Sequence, residues 1–320
     1  MEDKSGATLI LTVTLNAAVD KTYTVENFVI DRVHRPSSWR VVPGGKGINV
    51  ARVYTELGGE AMATGFAGGH NGDYILDGMR AEGLTHDFVK TAGESRVCIA
   101  ILDPIQKTQT ELNEVGPEIT ADEVERLKLK YESLIRGMEY VVLSGSISPG
   151  VPDSIYRELI EIANKYEVPC VLDTSGEPLA QGLSAMPVMT KPNVHELSAV
   201  VGKQLATIEE AAKAATDLNA RGIEIVTVTL GRDGALAATK EGVWRARPPE
   251  IPFVSAVGSG DAFAAAFVYV LASGGPISEA LRMGTGAGAA NAMTFGAGFC
   301  KREDILRLAG ETEVTPFEFD

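Results

Sequence analysis

Residues 140–173 read YVVLSGSISPGVPDSIYRELIEIANKYEVPCVLD, and this stretch decides the fold class. The apolar segment at 140–145 is typical of a buried strand, and a helical pattern follows at 152–166. The segment VPCVLD at 168–173 is a second short apolar strand. A strand, a helix and a second strand of these lengths predict a parallel βαβ unit, which requires a sheet covered by helices.

The same alternation extends in both directions along the chain. Thr120 with Glu123, and Thr207 with Glu210, have the spacing of capping boxes and predict two helix starts. Two helices rich in Gly and Ala are predicted near 261–272 and 278–293. Further strands are predicted at 8–16, 140–145, 168–173, 188–193 and 224–231. The chain is therefore predicted to be α/β with a mostly parallel sheet.

Two polar segments interrupt this alternation. Residues 21–42 alternate between apolar and polar side chains, and 97–103 with 108–112 have the pattern of a hairpin. We interpret them as antiparallel strands of a small β subdomain, inserted at about 21–43 and 95–113. The chain, residues 1–320, is predicted to be one domain with this insertion.

The composition excludes several classes of partner. The net charge of −14 disfavours nucleic acid and anionic membranes, and no apolar run is long enough for a signal segment or a membrane span. The three cysteines form no CxxC pair, which indicates buried thiols in a reducing compartment. We expect a cytoplasmic protein, and any phosphorylated substrate would need a locally basic site.

The strongest candidate for chemistry is VGSGDAFAAAF at 257–267. Gly258, Ser259 and Gly260 precede Asp261 at the start of an apolar helix, where backbone N–H groups form an anion site. A carboxylate beside that site can accept a proton from a hydroxyl while the amides stabilise a transferred phosphoryl group. The alternative is that Asp261 only complements the charge of the helix start.

A second candidate is GGKGINVAR at 44–52, a glycine-rich helix start. It is not a Walker A loop, because Gly47 follows Lys46 where Ser or Thr is required, and it lacks the dinucleotide spacing GxGxxG. Lys46 and Asn49 could contact sugar hydroxyls or a phosphate. A tight turn with a solvated lysine is the alternative.

The segment KPNVHE at 191–196 is a weaker candidate. Asn193 and Glu196 share a face if a helix begins there, and such a pair suits a hydrated Mg²⁺. An exposed turn around Lys191 is the alternative.

Other single residues follow strands or lie in the β insert. TLGRDG places Thr229, Gly231 and Gly234 at a strand end, where α/β sheets bind ligands. Asp20 follows the first strand, where it could hold sugar hydroxyls.

Together these segments resemble the PfkB, or ribokinase-like, carbohydrate kinases along essentially the whole chain. GGKGINVAR is similar to the N-terminal signature of that family, and AVGSGDAF at 256–263 to its C-terminal signature. Five further segments occur in the family's order: TLNxxxD, LSGSISPG, LDTSG, KPNxxE and TLGxxG. GGKG, SGS and DTSGE are most similar to the branch of 1-phosphofructokinases and tagatose-6-phosphate kinases, and SRVCIAILD with QTEL to the latter.

The resemblance implies a three-layer α/β/α core with a β lid, use of ATP and Mg²⁺, and a homodimer through paired lids. It implies that Asp261 deprotonates the acceptor hydroxyl and that Gly258, Ser259 and Gly260 form the anion hole. The other implied contacts are Asp20, Gly45 and Asn49 with the sugar; Lys46, Arg96 and Arg35 with the substrate phosphate; Lys191, Asn193 and Glu196 with ATP and, through water, Mg²⁺; Thr229, Gly231 and Gly234 with the nucleotide; and Asn291 near adenine.

The implied reaction is phosphorylation of a ketohexose monophosphate, namely tagatose 6-phosphate, fructose 1-phosphate or fructose 6-phosphate, to the bisphosphate. Three departures from the family pattern occur at Ala17, Val97 and Ala256, and none removes the base or the anion hole. The alternatives are a kinase of an unphosphorylated sugar or nucleoside, and a catalytically silent sugar-phosphate sensor.

Overall fold

The computed structural model of the protein describes residues 8–319. The strands are β1 Leu9–Thr14, β2 Ala18–Thr24, β3 Ser38–Gly44, β4 Glu60–Gly68, β5 Thr85–His86, β6 Val89–Thr91, β7 Arg96–Asp103, β8 Thr108–Asn113, β9 Tyr140–Ser144, β10 Cys170–Asp173, β11 Met189–Thr190, β12 Ile225–Thr229, β13 Ala235–Thr239, β14 Gly242–Arg247 and β15 Glu313–Pro316. The helices are α1 Lys46–Glu56, α2 Gly69–Ala81, α3 Ala121–Leu134, α4 Ile155–Lys165, α5 Gly176–Leu183, α6 Val194–Val201, α7 Ile208–Ala220, α8 Ser259–Ala272, α9 Ile277–Ala292 and α10 Arg302–Glu311.

The large sheet has the order β15-β14-β13-β12-β11-β10-β9-β1-β4-β5, and β6 also pairs with β4. The strands from β12 to β5 are parallel, and β13, β14 and β15 add antiparallel strands at one edge. This mostly parallel sheet confirms the predicted fold class. The segment 140–173 forms β9, α4 and β10 as predicted, and β9 and β10 are parallel neighbours.

Helices cover both faces of the sheet because successive side chains of each strand point to opposite faces. Val142 of β9 packs with α1, α8 and α9, whereas its neighbours Val141 and Leu143 pack with α3 and α4. Leu236 and Ala237 of β13 divide in the same way between α7 and α9. The core therefore lies in two layers, one on each face of the sheet.

The small sheet has the order β3-β2-β7-β8 and is built from the two segments predicted as an insertion. The hairpin of β7 and β8 is antiparallel as predicted, and β2 pairs with β3 in the same sense. The two segments meet through β2 and β7, which are parallel neighbours, and the sequence pattern does not predict this pairing. This pairing joins residues that are far apart in the chain, such as Ala18 and Arg96. The alternation of apolar and polar side chains within one strand does not predict such a distant partner.

Side chains at two predicted helix starts form the caps that their spacing indicates. Thr120 and Glu123 make the full capping box at the start of α3. Thr207 accepts from the backbone of Glu210 at the start of α7, but the carboxylate of Glu210 accepts from Ala206 instead of the cap residue. One of the two hydrogen bonds of the predicted capping box is therefore present, and the other is replaced by the bond from Ala206.

No helix among residues 8–319 is both long enough and apolar enough to cross a bilayer. The three cysteines are unpaired, and Cys170 is buried as predicted. Cys98 is only partly buried, because its side of the small sheet faces a cavity.

Glycine at position 65 sets the close approach of β4 to the end of β1. Gly65 has a φ of +150° and pairs with Thr14, and an added Cβ would lie 1.9 Å from the Thr14 carbonyl oxygen. We expect Gly65→Ala to lower the free energy of unfolding by about 2–5 kcal/mol, from backbone strain and overpacking. Urea unfolding measures this difference.

The matched control is Gly58→Ala, because Gly58 has a φ of +99° but nothing within 4 Å of its added Cβ. It should cost only the backbone strain, about 1–2 kcal/mol. Equal losses in the two variants would show that the contact between β1 and β4 is not close.

Candidate active site

A large cavity lies at the carboxyl ends of the parallel strands, where α/β sheets bind ligands. Its volume is about 1350 Å³, which exceeds the roughly 300–1,000 Å³ of a typical ligand pocket. Strands of the small sheet form one wall of the cavity, and the turn after β12 forms part of another wall. The predicted site residues that line this cavity are Asp20, Gly45, Lys46, Asn49, Arg96, Lys191, Asn193, Glu196, Thr229, Gly231, Gly234, Gly258, Ser259, Gly260 and Asp261.

The turn before α8 supplies backbone donors to the cavity. Gly258 is the left-handed N-cap of α8, with a φ of +82°, and an added Cβ would lie 2.7 Å from Cβ of Ala297. Only glycine fits there, because both the conformation and the contact exclude a side chain. The N–H of Ser259 donates to the Ala256 carbonyl oxygen at 3.1 Å, but those of Gly258, Gly260 and Asp261 have no partner among the described residues. The turn can therefore bind an anion.

Asn291 supports this turn from behind. Its side chain is fully buried; Nδ2 donates to the carbonyl oxygen of Val257 at 2.7 Å, and Oδ1 accepts from the backbone of Gly298 at 2.7 Å. Asn291 does not line the cavity. The geometry therefore gives no support to a contact between Asn291 and adenine and assigns it to the shape of the turn.

A buried carboxylate holds two lysines at the cavity floor. Asp173, the last residue of β10, accepts a hydrogen bond from Lys46 Nζ at 3.1 Å through Oδ1. Lys191 Nζ lies 3.2 Å from Oδ2, within ion-pair range, although Oδ2 accepts no hydrogen bond from any described residue. Burial would raise the pKa of Asp173, but Lys191 and Lys46 outweigh it and hold the pKa below its usual value. Asp173 therefore stays ionised between the two lysines.

Asp261 is buried in the first turn of α8, where the N-terminal helix dipole favours a carboxylate. Its Oδ2 accepts a hydrogen bond from Asn49 Nδ2 at 2.8 Å. Burial raises the pKa of Asp261 to about 6, against the opposing effect of Lys46 and the hydrogen bond from Asn49. A carboxylate with this pKa is ionised at neutral pH yet basic enough to take a proton.

Asp20 of β2 lies in the cavity wall formed by the small sheet. Burial of its carboxyl group raises the pKa to about 7, although Arg96 lowers it. An added Cβ on Gly44 would lie 2.1 Å from the Asp20 carboxylate carbon, so a side chain at this position of β3 would displace the carboxylate. Asp20 and Cys98 are Cα partners in the parallel ladder, and Arg96 is two residues before Cys98, so all three share the cavity face.

Arg96 and Arg35 were both predicted at the substrate phosphate, and only Arg96 reaches the cavity. Arg96 donates to the carbonyl oxygens of Asn16 and Glu114 at 3.2 and 3.1 Å, which fixes the guanidinium at the rim. Arg35 is exposed in the segment between β2 and β3 and lies outside the cavity lining. The alternating pattern predicts that Arg35 belongs to the insert. In the structure the segment around Arg35 is not a strand, and the pattern does not reveal this.

The residues assigned to ATP and Mg²⁺ lie at the ends of β11 and β12. Asn193 and Glu196 form a capping box at the start of α6, so their predicted turn is a helix start. One carboxylate oxygen of Glu196 is used in that box, and the other accepts no hydrogen bond from a described residue. Among residues 8–319 no three carboxylates, histidines or cysteines cluster as metal ligands. The pair therefore suits a cation that keeps its waters, as Mg²⁺ does.

Several residues of the site were not assigned from the sequence. Asp173 stands directly after a buried apolar strand, which is a signal that could have identified it. Lys21 and Arg232 line the cavity at opposite parts of the chain, on β2 and after β12. Arg52, at the end of the GGKGINVAR segment, bonds Asn49 and has no local signal that separates it from a surface arginine.

Comparison with known proteins identifies the family of this chain. A model of the pfkB family carbohydrate kinases matches residues 13–304. Phosphofructokinase-2 from Escherichia coli, in complex with potassium, superimposes with a TM-score of 0.89 at 30% identity over 95% of this chain and 99% of that chain. A protein described as a possible 1-phosphofructokinase from Thermotoga maritima gives 0.86 at 29% identity over 97% and 100%.

A ribokinase from Arabidopsis thaliana, complexed with ribose and ATP, gives a TM-score of 0.75 at 22% identity over 95% of this chain and 99% of that chain. This last similarity shows the shared ribokinase-like fold alone. The family match spans both signature segments and nearly the whole chain. The chain therefore belongs to the pfkB family of carbohydrate kinases.

Proposed function

We propose that this protein transfers the terminal phosphoryl group of ATP to a hydroxyl of a ketohexose monophosphate, giving the bisphosphate and ADP. The candidate substrates are tagatose 6-phosphate, fructose 1-phosphate and fructose 6-phosphate. One observation carries the proposal. A buried carboxylate, Asp261, stands in the first turn of α8 directly after the glycine turn of Gly258, Ser259 and Gly260, on the wall of a large cavity.

In this reaction Asp261 acts as the general base. It accepts the proton of the acceptor hydroxyl, whose oxygen then bonds to the terminal phosphorus while the bond to the leaving ADP oxygen breaks. The amides of Gly258 and Gly260 stabilise the charge that develops on the transferred group. Ser259, whose N–H donates to the Ala256 carbonyl oxygen at 3.1 Å, holds the shape of the turn. The hydrogen bond from Asn49 aims the carboxylate and keeps it ionised.

Lys46 and Lys191 are proposed to hold the transferred phosphoryl group. An added Cβ on Gly260 would lie 3.2 Å from Lys191 Nζ, so this ammonium group stands beside the anion-binding turn. Lys46 shares Asp173 with it. We therefore assign Lys46, together with Lys191, to the transferred phosphoryl group instead of the phosphate already on the sugar. Arg96 is then the main cation for the sugar phosphate.

Thr229, Gly231 and Gly234 are proposed to border ATP, because they line the cavity at the turn after β12. Glu196 and Asn193 would hold a hydrated Mg²⁺ through its waters. When bound, Mg²⁺ neutralises charge on the phosphates. Asp20 accepts hydrogen bonds from sugar hydroxyls in this account, with Gly45 and Asn49 beside it.

The small sheet is proposed to act as a lid. It contributes Asp20 and Arg96 to the cavity, and its closure over the substrate would exclude water and suppress hydrolysis of ATP. Trp39 and Leu112 of the same sheet are 67% and 59% exposed. Such apolar exposure supports the pairing of two lids in a homodimer.

Replacing the proposed base tests the chemistry directly. Asp261→Asn should lower kcat by at least about 100-fold, because general-base catalysis typically contributes 10²–10⁴-fold. The affinity for ATP should stay within about twofold, since the backbone donors remain. ADP release and calorimetric titration measure the two quantities.

Asp217→Asn is the control for a lost aspartate charge, because Asp217 is exposed on α7 and outside the cavity lining. It should retain normal turnover. If Asp261→Asn keeps turnover within about tenfold of the unaltered protein, Asp261 is not the base.

The substrate class is tested at Arg96, which forms no ion pair with a carboxylate among residues 8–319. Arg96→Ala should raise the KM for the sugar phosphate by about 10–100-fold, since hydrogen bonds to charged groups contribute about 1.5–3 kcal/mol. The KM for ATP should not change. Steady-state kinetics with each substrate varied in turn measure both constants.

Arg232→Ala is the reciprocal control, because Arg232 lines the cavity at the turn after β12. It should raise the KM for ATP and leave that for the sugar unchanged. An unaltered sugar KM in Arg96→Ala would favour an unphosphorylated substrate instead.

A further inference from the structure

Arg52 of α1 is a buried arginine. It is 7% exposed, and its guanidinium donates to four acceptors. Nε donates to Glu82 Oε2 at 2.7 Å, and Nη2 donates to the Pro43 carbonyl oxygen at 2.7 Å. Nη1 donates to Asn49 Oδ1 at 2.9 Å and to the Ala297 carbonyl oxygen at 3.1 Å. Burial of a charged group is costly unless its contacts compensate, and here every nitrogen is used.

The bond to Asn49 settles which way that amide points. A guanidinium has only donors, so it can face only the oxygen of the amide. The NH₂ group of Asn49 must then face the opposite direction, where it donates to Asp261 Oδ2 at 2.8 Å. A reversed amide would place its oxygen against the carboxylate of Asp261 and its NH₂ group against the guanidinium of Arg52. Both contacts would be repulsive.

Arg52 also joins the segments that surround the proposed base. The Pro43 carbonyl belongs to β3, the strand that leads from the small sheet into α1. Ala297 lies against Gly258, the N-cap of α8. Arg52 is further held by Phe299, whose ring centroid is 4.3 Å from the guanidinium carbon. A single side chain thus contacts the base of the lid, the segment that packs on the turn before α8, and the partner of Asp261.

We infer that Arg52 is a positioning residue, which fixes the amide of Asn49 so that its NH₂ group aims and holds the carboxylate of Asp261. The inference rests on the proposed role of Asp261 as the base. It assigns a function in catalysis to a side chain that has no contact with the cavity.

The consequence is measurable as a pH dependence. Asp261 accepts a proton only when it is ionised, so kcat falls as the pH decreases through its pKa. A hydrogen bond donated to the carboxylate lowers that pKa, and its loss raises the pKa. The acidic limb of the kcat profile should therefore move to higher pH when Asn49 is no longer held. The other charged groups that face Asp261 are Lys46 on α1, Asp173 at the end of β10, Lys191 after β11 and Asp20 on β2, and none of them is replaced. Arg52 also lowers the pKa of Asp20, so an effect that passes through Asp20 would appear as a shift that persists without Asn49.

The experiment compares kcat for ADP release against pH in four proteins: the unaltered chain, Arg52→Met, Asn49→Ala and the double variant. Arg52→Met should move the acidic limb up by about one pH unit, with most of the rate recovered on the alkaline plateau. In the Asn49→Ala background the same replacement should produce no additional shift, because the effect passes through Asn49.

Glu82→Gln is the matched control, since it weakens the ion pair on the far side of Arg52 and leaves the Asn49 contact in place. Its acidic limb should not move. Shifts that add in the double variant would overturn the inference, because they would mean that the charge of Arg52 acts directly on Asp261. A rate lowered equally at every pH would also overturn it and leave Arg52 with a structural role alone.

If Arg52→Met does not fold, Arg52→Lys enters the same cycle, because it keeps the charge but loses the planar set of donors. It should give a smaller shift in the same direction, and an unmoved limb would contradict the inference. The unaltered protein separates the two proposals. An absence of turnover there, or full turnover in Asp261→Asn, would overturn the proposed function and with it the role of Arg52. A strong loss of turnover in Asp261→Asn together with an unmoved limb in Arg52→Met would overturn the role of Arg52 alone.

Discussion

The buried carboxylate of Asp173 is the interaction on which the site depends. Two lysines, Lys46 and Lys191, approach each other at the cavity floor, and Asp261 is buried close by. Like charges in a poorly solvated space repel strongly, and an unpaired buried charge is costly. Asp173 satisfies both lysines at once, and removing it would leave two uncompensated cations. The charges of Lys46, Lys191, Asp173 and Asp261 therefore influence one another.

The fold delivers this set because each member follows the end of a different parallel strand or begins a helix beside one. Asp173 ends β10 and Lys191 follows β11, while Lys46 and Asp261 stand in the first turns of α1 and α8. Glycines make the close approach of those helix starts possible. Gly45 has a φ of +117°, and an added Cβ would lie 2.6 Å from Thr14 Cγ2. The signature segments are thus glycine-rich for a steric reason as well as for anion binding.

Much of this could be predicted from the sequence, because it depends on local pattern. The parallel core follows from short apolar strands and amphipathic helices, and Asp261 follows from three small residues before an apolar helix. The rest depends on long-range contacts. The parallel pairing of β2 with β7, the exposure of Arg35 and the burial of Asn291 behind its turn have no local signature. Arg52 is one more arginine in the sequence until the fold brings Pro43, Ala297 and Glu82 around it.

The measurement that tests the central claim most directly is release of ADP from Mg-ATP with a panel of acceptors. The panel contains tagatose 6-phosphate, fructose 1-phosphate and fructose 6-phosphate, with ribose, fructose and adenosine as acceptors that lack a phosphate. The account predicts a strong preference for one phosphorylated ketohexose, because Arg96 offers the cavity a guanidinium group suited to a phosphate. Turnover with neutral sugars alone would contradict the substrate class, and binding without turnover by any acceptor would contradict the assignment of an enzyme.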